Sequence, residues 1–310
     1  MQATTLPPVS YPTLNGVARL THLGVIQIDG EDAAKFIHGQ LTHDFSLLDQ
    51  HRARLAGFCN AKGRMQASFV GFKRPNGAIL LICSLDLLPA TLKRLSMFVM
   101  RAKAKLSDAT HSFAIYGLAG IAIKNIAGYA DSTWAKADFD TDSIINLYPA
   151  DGAARQLCVA PTDSPAPAGP DLDLSLWQWS EVRSGVATLT LPVFEAFVPQ
   201  MLNYESIDGV NFKKGCYPGQ EVVARSQFRG TLKRRTFLAH CDEALLAGDE
   251  IFSASDRDQP VGTVVQSAST PTGGYDALIS IQLAAVDAGT LGLKACDGPL
   301  TLTASAFFLT

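Results

Sequence analysis

Apolar and polar positions alternate from Arg19 to Asp29, with Val25, Ile26 and Ile28 supplying β-branched side chains, and this predicts a strand. Gly30-Glu31-Asp32 then opens a short helix whose Ala33, Phe36, Ile37 and Leu41 share one face. Hairpins follow: Arg54–Cys59, a turn at Asn60-Ala61-Lys62-Gly63, Arg64–Phe72, a turn at Asn76-Gly77, and the almost wholly apolar Ala78–Leu85. Asn-Gly favours the positive φ angles of a tight hairpin turn. Leu87–Lys105 reads as a helix with Asp86 as its cap, Pro89 in its first turn and a stripe of Leu88, Leu92, Leu95, Val99 and Ala102. A mixed strand and helix block spans Ser112–Val159. The Pro- and Ala-rich run Asp163–Pro170 is a linker, followed by a helix over 173–184 closed by Gly185. Gln220–Gln227 is a further helix, with Val222 and Val223 facing inward and Gly230 ending it. Beyond Thr231, short apolar runs (Arg235–His240, Val261–Ser267, Ala277–Leu283, Leu300–Phe308) are broken by Gly, Asp and Pro, the pattern of a small antiparallel barrel or sandwich.

The fold class is therefore α+β to about residue 230 and all-β after it. The expected division is an N-terminal α+β region at 1–110, a second at 111–230 interleaved with the first, and a β unit at 231–310. A chain of 310 residues exceeds the usual single domain, and 47% hydrophobic with 18% charged residues is ordinary for large cores. The formal net charge of −3 argues against wholesale nucleic-acid binding but leaves room for a local basic patch. Six cysteines (59, 83, 158, 216, 241, 296) form no CxxC pair, so no zinc or sequence-local iron–sulfur motif is written, and reduced thiols in a cytosolic protein fit best. The first residues lack the features of a signal peptide, and no apolar run approaches the ~20 residues that span a bilayer, so a soluble, cytoplasmic chain is expected.

The chemistry concentrates in one segment. Lys213, Lys214, Arg225, Arg229, Lys233, Arg234 and Arg235 crowd between Val210 and Arg235 against a single acid, Glu221. This could attract an anionic ligand, a phosphate backbone or an acidic partner, or it could be a solvated face that aids solubility. Gly215 and Gly219 bracket Cys216-Tyr217-Pro218 in a turn just ahead of a helix N-terminus. A thiol placed there beside Lys213 and Lys214 would favour thiolate, whereas a small buried hydrophobe is the other reading of a free cysteine. No HxxxH pair, P-loop, GxSxG or GxGxxG pattern competes with it.

Phe197–Tyr204, Gly209-Val210-Asn211-Phe212, the core Lys213-Lys214-Gly215-Cys216-Tyr217-Pro218-Gly219-Gln220-Glu221, Val222–Arg225 and Arg229-Gly230 together resemble the YgfZ family. These are folate-binding relatives of the glycine-cleavage aminomethyltransferase (GcvT, T-protein). The resemblance implies a three-domain GcvT-like ring around a central folate site, with ferredoxin-like α+β units first and an antiparallel β-barrel last. It implies tetrahydrofolate or a derivative as cofactor, and a role in maintaining iron–sulfur enzymes, including those that thiomethylate tRNA. Partners would be iron–sulfur proteins or their assembly factors, with an indirect link to tRNA modification and no membrane. Cys216 takes the place of the family's functional cysteine, with Lys213 and Lys214 as its electrostatic activators and Arg225 and Arg229 as anion contacts. Tyr217, Gly219, Gln220 and Glu221 would shape the turn.

The resemblance also marks departures. Trp177 matches a tryptophan that contacts folate in the family, stacking on it, although core packing is the equal alternative from sequence. A second such tryptophan falls at Leu23. Arg183 stands where many relatives carry a glutamate for the pterin amino group, and a guanidinium cannot accept those hydrogen bonds. Ala67 and Ser68 occupy the acidic positions of an aminomethyltransferase, and neither can act as a carboxylate acid or base. The first expectation is thus a folate-binding accessory protein with a reactive thiol. A folate-dependent aminomethyltransferase is the alternative, and a direct RNA-binding module a third.

Overall fold

The computed structural model describes residues 13–126, 132–230, 232–286, 291–293 and 299–303. In chain order the first elements are β1 (Gly16–Arg19), β2 (Leu23–Asp29), α1 (Ala33–His38), β3 (Ala53–Cys59), β4 (Met65–Lys73), β5 (Ile79–Ser84), α2 (Leu88–Met97) and β6 (Lys105–Asp108). Next come β7 (Phe113–Ala119), β8 (Lys136–Phe139), β9 (Asp142–Asn146), β10 (Arg155–Pro161), α3 (Leu174–Arg183) and α4 (Gln220–Phe228). The last are β11 (Arg234–Cys241), β12 (Glu250–Ser253), β13 (Asp256–Ser269), β14 (Tyr275–Gln282), α5 (Leu283–Val286), β15 (Leu291–Leu293) and β16 (Thr301–Thr303).

These strands form three antiparallel sheets. The first has the order β3-β4-β5-β2-β6. Its strands bury both faces, which explains why β5 is apolar throughout rather than alternating. Ile79, Leu81 and Cys83 join Phe36, Ile37, Leu88 and Leu95 under α1 and α2. Leu80 and Ile82 turn the other way, into the large core shared with the second sheet. That second sheet, β1-β7-β10-β9-β8, takes its edge strand from residues 16–19, so the chain starts in it, leaves for the first sheet and returns. Helix α3 packs closely on β7 at Gly117, where a Cβ would lie 2.4 Å from the Trp177 ring. The third sheet, β15-β12-β13-β14-β11-β16, curls around its own core of Phe237, Ile251, Val264 and Ile279. A register shift between Val264 and Gln266 bends it, and Leu291 bridges Leu300 to bring its two edges together.

Both hairpin turns form as expected, with Gly63 at φ 72° and Gly77 at φ 90°. The Arg19–Asp29 strand divides into β1 and β2. Helix α2 stops at Met97 instead of running to Lys105, and Met100 adopts φ 41°. The open edge of β2 takes a partner there, pairing Asp29 with Lys105 through Ile26 with Asp108. Val99 and Ala102 still reach the core under α2, which is why they read as a helical stripe. Asp86 does not cap α2; its carboxylate accepts hydrogen bonds from Ser84 Oγ at 2.6 Å and Leu191 N at 2.9 Å. The block from 112 to 159 contains no α-helix among the described residues, only strands and a 3-10 turn at Gly120–Ala122. Of the Leu300–Phe308 run, residues 304–308 lie outside the described residues, as does Cys296.

Candidate functional site

The segment from Lys213 to Glu221 is pinned at three points. Lys214, 8% exposed, donates its ammonium hydrogens to the carbonyls of His38 and Leu41, the latter at 2.6 Å. The first closes the C-terminal end of α1, where a cation is favoured, and the second lies in the turn just beyond it. Burial pulls the Lys214 pKa down to about 8, against the opposing pull of Asp44 and Cys216. Tyr217 is buried, with the Lys214 nitrogen 4.9 Å from its ring centroid. Gly219 sits at φ 80°, and a Cβ on it would lie 2.4 Å from the Asn60 carbonyl oxygen. No other residue type combines that backbone angle with that approach. Helix α4 starts at the next residue, Gln220. Its Val223 is buried, and the Val223 carbonyl accepts from Gln200 Nε2 at 2.7 Å.

The result is a rigid turn that projects Cys216 outward. Among the described cysteines Cys216 alone is exposed. Burial pushes the thiols of Cys59 and Cys158 up to about 12 and that of Cys83 up as well, so these are poor nucleophiles. The buried-hydrophobe reading of Cys216 is thus replaced by a solvent-facing thiol. Lys213, Arg225 and Arg229 are also exposed, and Glu221 lies exposed in the first turn of α4. Lys214 is close to the thiol, but its hydrogens are committed to the carbonyls of His38 and Leu41.

A second site lies between the first and second sheets, closed by α3 and the segment after it. An apolar cavity of about 70 Å³ is lined by Leu23, Ser68, Val70, Trp134, Tyr148, Arg155, Glu181 and Tyr204, among others. The Trp134 indole N–H is buried and has no partner among the described residues. Tyr148 meets the Trp134 ring edge to face at 5.8 Å. Glu181 is held from two sides: Trp177 Nε1 donates to Oε1 at 3.0 Å, and His22 Nε2 lies 3.2 Å from Oε2. Arg155 is buried, bonded to the Tyr148 carbonyl and to Ser180 Oγ. Burial pulls its pKa down to about 10, and Glu181 counters this. Glu181 and Thr188 also border a separate outer cleft with His22, Asp86, Gln178 and Gln266.

The structure redistributes the expected ligand contacts. Leu23 and Ser68 do line the cavity; Ala67 faces the opposite side, under the helices, as the two-residue period of a strand requires. Trp177 does not line it. That ring is fully buried between Gly117 and Arg155, whose guanidinium lies 5.1 Å from it, and its function is to orient Glu181. Arg183 points away, making paired bonds to Asp151 at 2.7 and 2.8 Å and reaching Asp276. The cavity carboxylate is Glu181, two residues earlier. Sequence reasoning missed Glu181, Trp134, Tyr148 and Arg155. The one available signal was an acid four residues after Trp177, on the buried face of α3. No residue of Lys213–Glu221 lines the cavity.

No group of three or more His, Cys, Asp or Glu side chains among the described residues is placed to hold a metal, and none of the described helices is long and apolar enough to cross a membrane. No protein-family model matches the sequence. In fold the chain resembles the glycine cleavage system aminomethyltransferase T from Bartonella henselae, with a TM-score of 0.64 at 14% identity, covering 95% of this chain and 87% of that one. In sequence it is 31% identical to the tRNA-modifying protein YgfZ of Serratia proteamaculans, over 69% of this chain and 67% of that protein. The YgfZ protein of Edwardsiella ictaluri is 30% identical over 68% and 67%, and that of Colwellia psychrerythraea 28% over 75% and 74%. With this similarity in sequence and a GcvT-like fold, the chain belongs to the YgfZ family.

Proposed function

We propose that the protein binds a reduced folate, tetrahydrofolate or a derivative, in the central cavity. In this reading it serves as an accessory protein for iron–sulfur enzymes, including those that thiomethylate tRNA, with Cys216 as its reactive group. The observation that carries the folate reading is the pairing, in one apolar cavity, of an oriented carboxylate with an unpartnered indole N–H. A pterin presents adjacent N–H donors that suit Glu181 and ring acceptors that suit Trp134, while Leu23, Val70 and Tyr148 provide flat or apolar walls. Bound tetrahydrofolate would supply a one-carbon carrier. The protein side would hold and orient it and exclude water.

Against one-carbon transfer stands Ser68, at the position where a transferase carries an acid. Its hydroxyl already accepts a hydrogen bond from Leu189 N at 2.9 Å. The accessory reading therefore places the chemistry on the partner and the thiol rather than on a base at that position. A cytoplasmic setting, with a reduced thiol at Cys216, belongs to the same proposal.

The test is Cys216→Ser. The thiol is exposed and lines no part of the cavity, so the variant should bind tetrahydrofolate within about twofold of wild type. In cells lacking the protein it should fail to restore the activity of a dependent iron–sulfur enzyme. Full restoration would show that Cys216 carries no function.

A further inference from the structure

We infer that the basic face running from the 60–64 turn across α4 to the start of β11 is a binding site for single-stranded RNA. Phe228 would be its stacking platform and Arg225, Arg229 and Lys233 its phosphate contacts. Arg225 and Arg229 are exposed at an i, i+4 spacing, which puts them on one side of α4. Neither they nor Lys233 and Arg234 have an ion pair or side-chain hydrogen bond among the described residues. The stripe continues beyond the helix. The 60–64 turn packs against α4, with the Cβ position of Gly63 3.0 Å from Val222. Burial disfavours the Arg234 charge, and the Arg64 guanidinium adds to this. Arg225, Arg229, Lys233 and Arg234, unpaired among the described residues in a chain of net charge −3, favour an anion site over a solvated face.

The shape of the stripe selects the anion. It crosses elements of two sheets, too long for a small anion and suited to a polyanion. Within it Phe228 is 70% exposed, braced edge to face against Phe212 at 5.4 Å. An exposed aromatic ring among arginines offers a base a stacking surface while the cations track the backbone. The choice of RNA over DNA rests on the tRNA-linked role proposed above.

The experiment is fluorescence anisotropy of the full-length protein with a labelled single-stranded RNA of mixed sequence, at several salt concentrations. With three or four phosphate contacts, the slope of log K against log salt should be about −2 to −3, at about 0.7 per contact. Arg225→Gln with Arg229→Gln should flatten that slope by about 1.4 and weaken binding at low salt tenfold or more. Phe228→Ala should weaken binding roughly fivefold or more with the slope unchanged. Tetrahydrofolate affinity serves as the folding control and should not move in either variant, because none of these residues lines the cavity. The inference is overturned if wild type does not bind at low salt, or if the variants bind as wild type does. It is equally overturned if same-sequence DNA or a polyglutamate peptide binds as tightly as the RNA. Failure of wild type to bind tetrahydrofolate would count against the folate proposal and leave the RNA result to stand by itself.

Discussion

Replacing Glu181 by glutamine should weaken tetrahydrofolate binding roughly 30- to 150-fold, as the loss of a charge-assisted hydrogen bond of about 2–3 kcal/mol implies. The substitution keeps an oxygen to accept the Trp177 indole N–H, now 3.0 Å away, so α3 and the buried tryptophan have no reason to move. What disappears is the negative charge facing the pterin donors. The amide must also present its NH₂ somewhere, and the His22 ring and the ligand's own N–H groups compete for the one remaining acceptor. Isothermal titration of wild type and variant, with a thermal melt to verify the fold, reads the effect. An unchanged affinity would remove Glu181 from the binding site.

Gly117→Ala should be the most damaging single methyl group in the molecule's centre. Its Cβ would lie 2.4 to 2.5 Å from three atoms of the Trp177 ring, and that ring is fully buried with the Arg155 guanidinium on it. A flexible side chain could yield; an indole between a sheet and a buried cation cannot. The expected cost is about 3 kcal/mol or more, from overpacking plus the strained Trp177–Glu181 hydrogen bond. At about 2–4 °C per kcal/mol for a chain of this class, the melting temperature should fall by roughly 6–12 °C. Folate binding should weaken with it, since Trp177 orients Glu181. Gly77→Ala is the control, because Gly77 has φ 90° and nothing within 4 Å of its Cβ position. That change incurs only the left-handed backbone penalty of about 1–2 kcal/mol. A melt for Gly117→Ala within 2 °C of wild type would contradict the packing described.

Local pattern explains what was legible in the sequence. The hairpins at Asn60–Gly63 and Asn76-Gly77, the helix at 220–228 and the turn around Gly219 each depend on neighbours a few residues apart, and each forms where its residues predict. Helix α2 was overextended because Val99 and Ala102 keep the helical spacing while the chain has already left the helix to pair with β2. A long-range strand partner overrode local periodicity there. The cavity was the least legible part, since its walls come from residues as far apart as Leu23 and Tyr204. Trp177 illustrates the difficulty. From sequence, folate contact and core packing are equal alternatives for it; the ring packs on Gly117 of β7, and the cavity-facing position belongs to Glu181 one turn later. Only the tertiary packing of α3 on β7 separates the two.

The central claim is that the folate site and the thiol are separate parts of one protein, the first enclosed between the first two sheets and α3 and the second on an external turn. Titration of tetrahydrofolate followed by intrinsic tryptophan fluorescence tests it most directly, because Trp134 lines the cavity. The account predicts a saturable change at one folate per chain in wild type, retained in Cys216→Ser and largely lost in Trp134→Phe. No saturable signal in wild type, or one that survives Trp134→Phe and vanishes with Cys216→Ser, would contradict it.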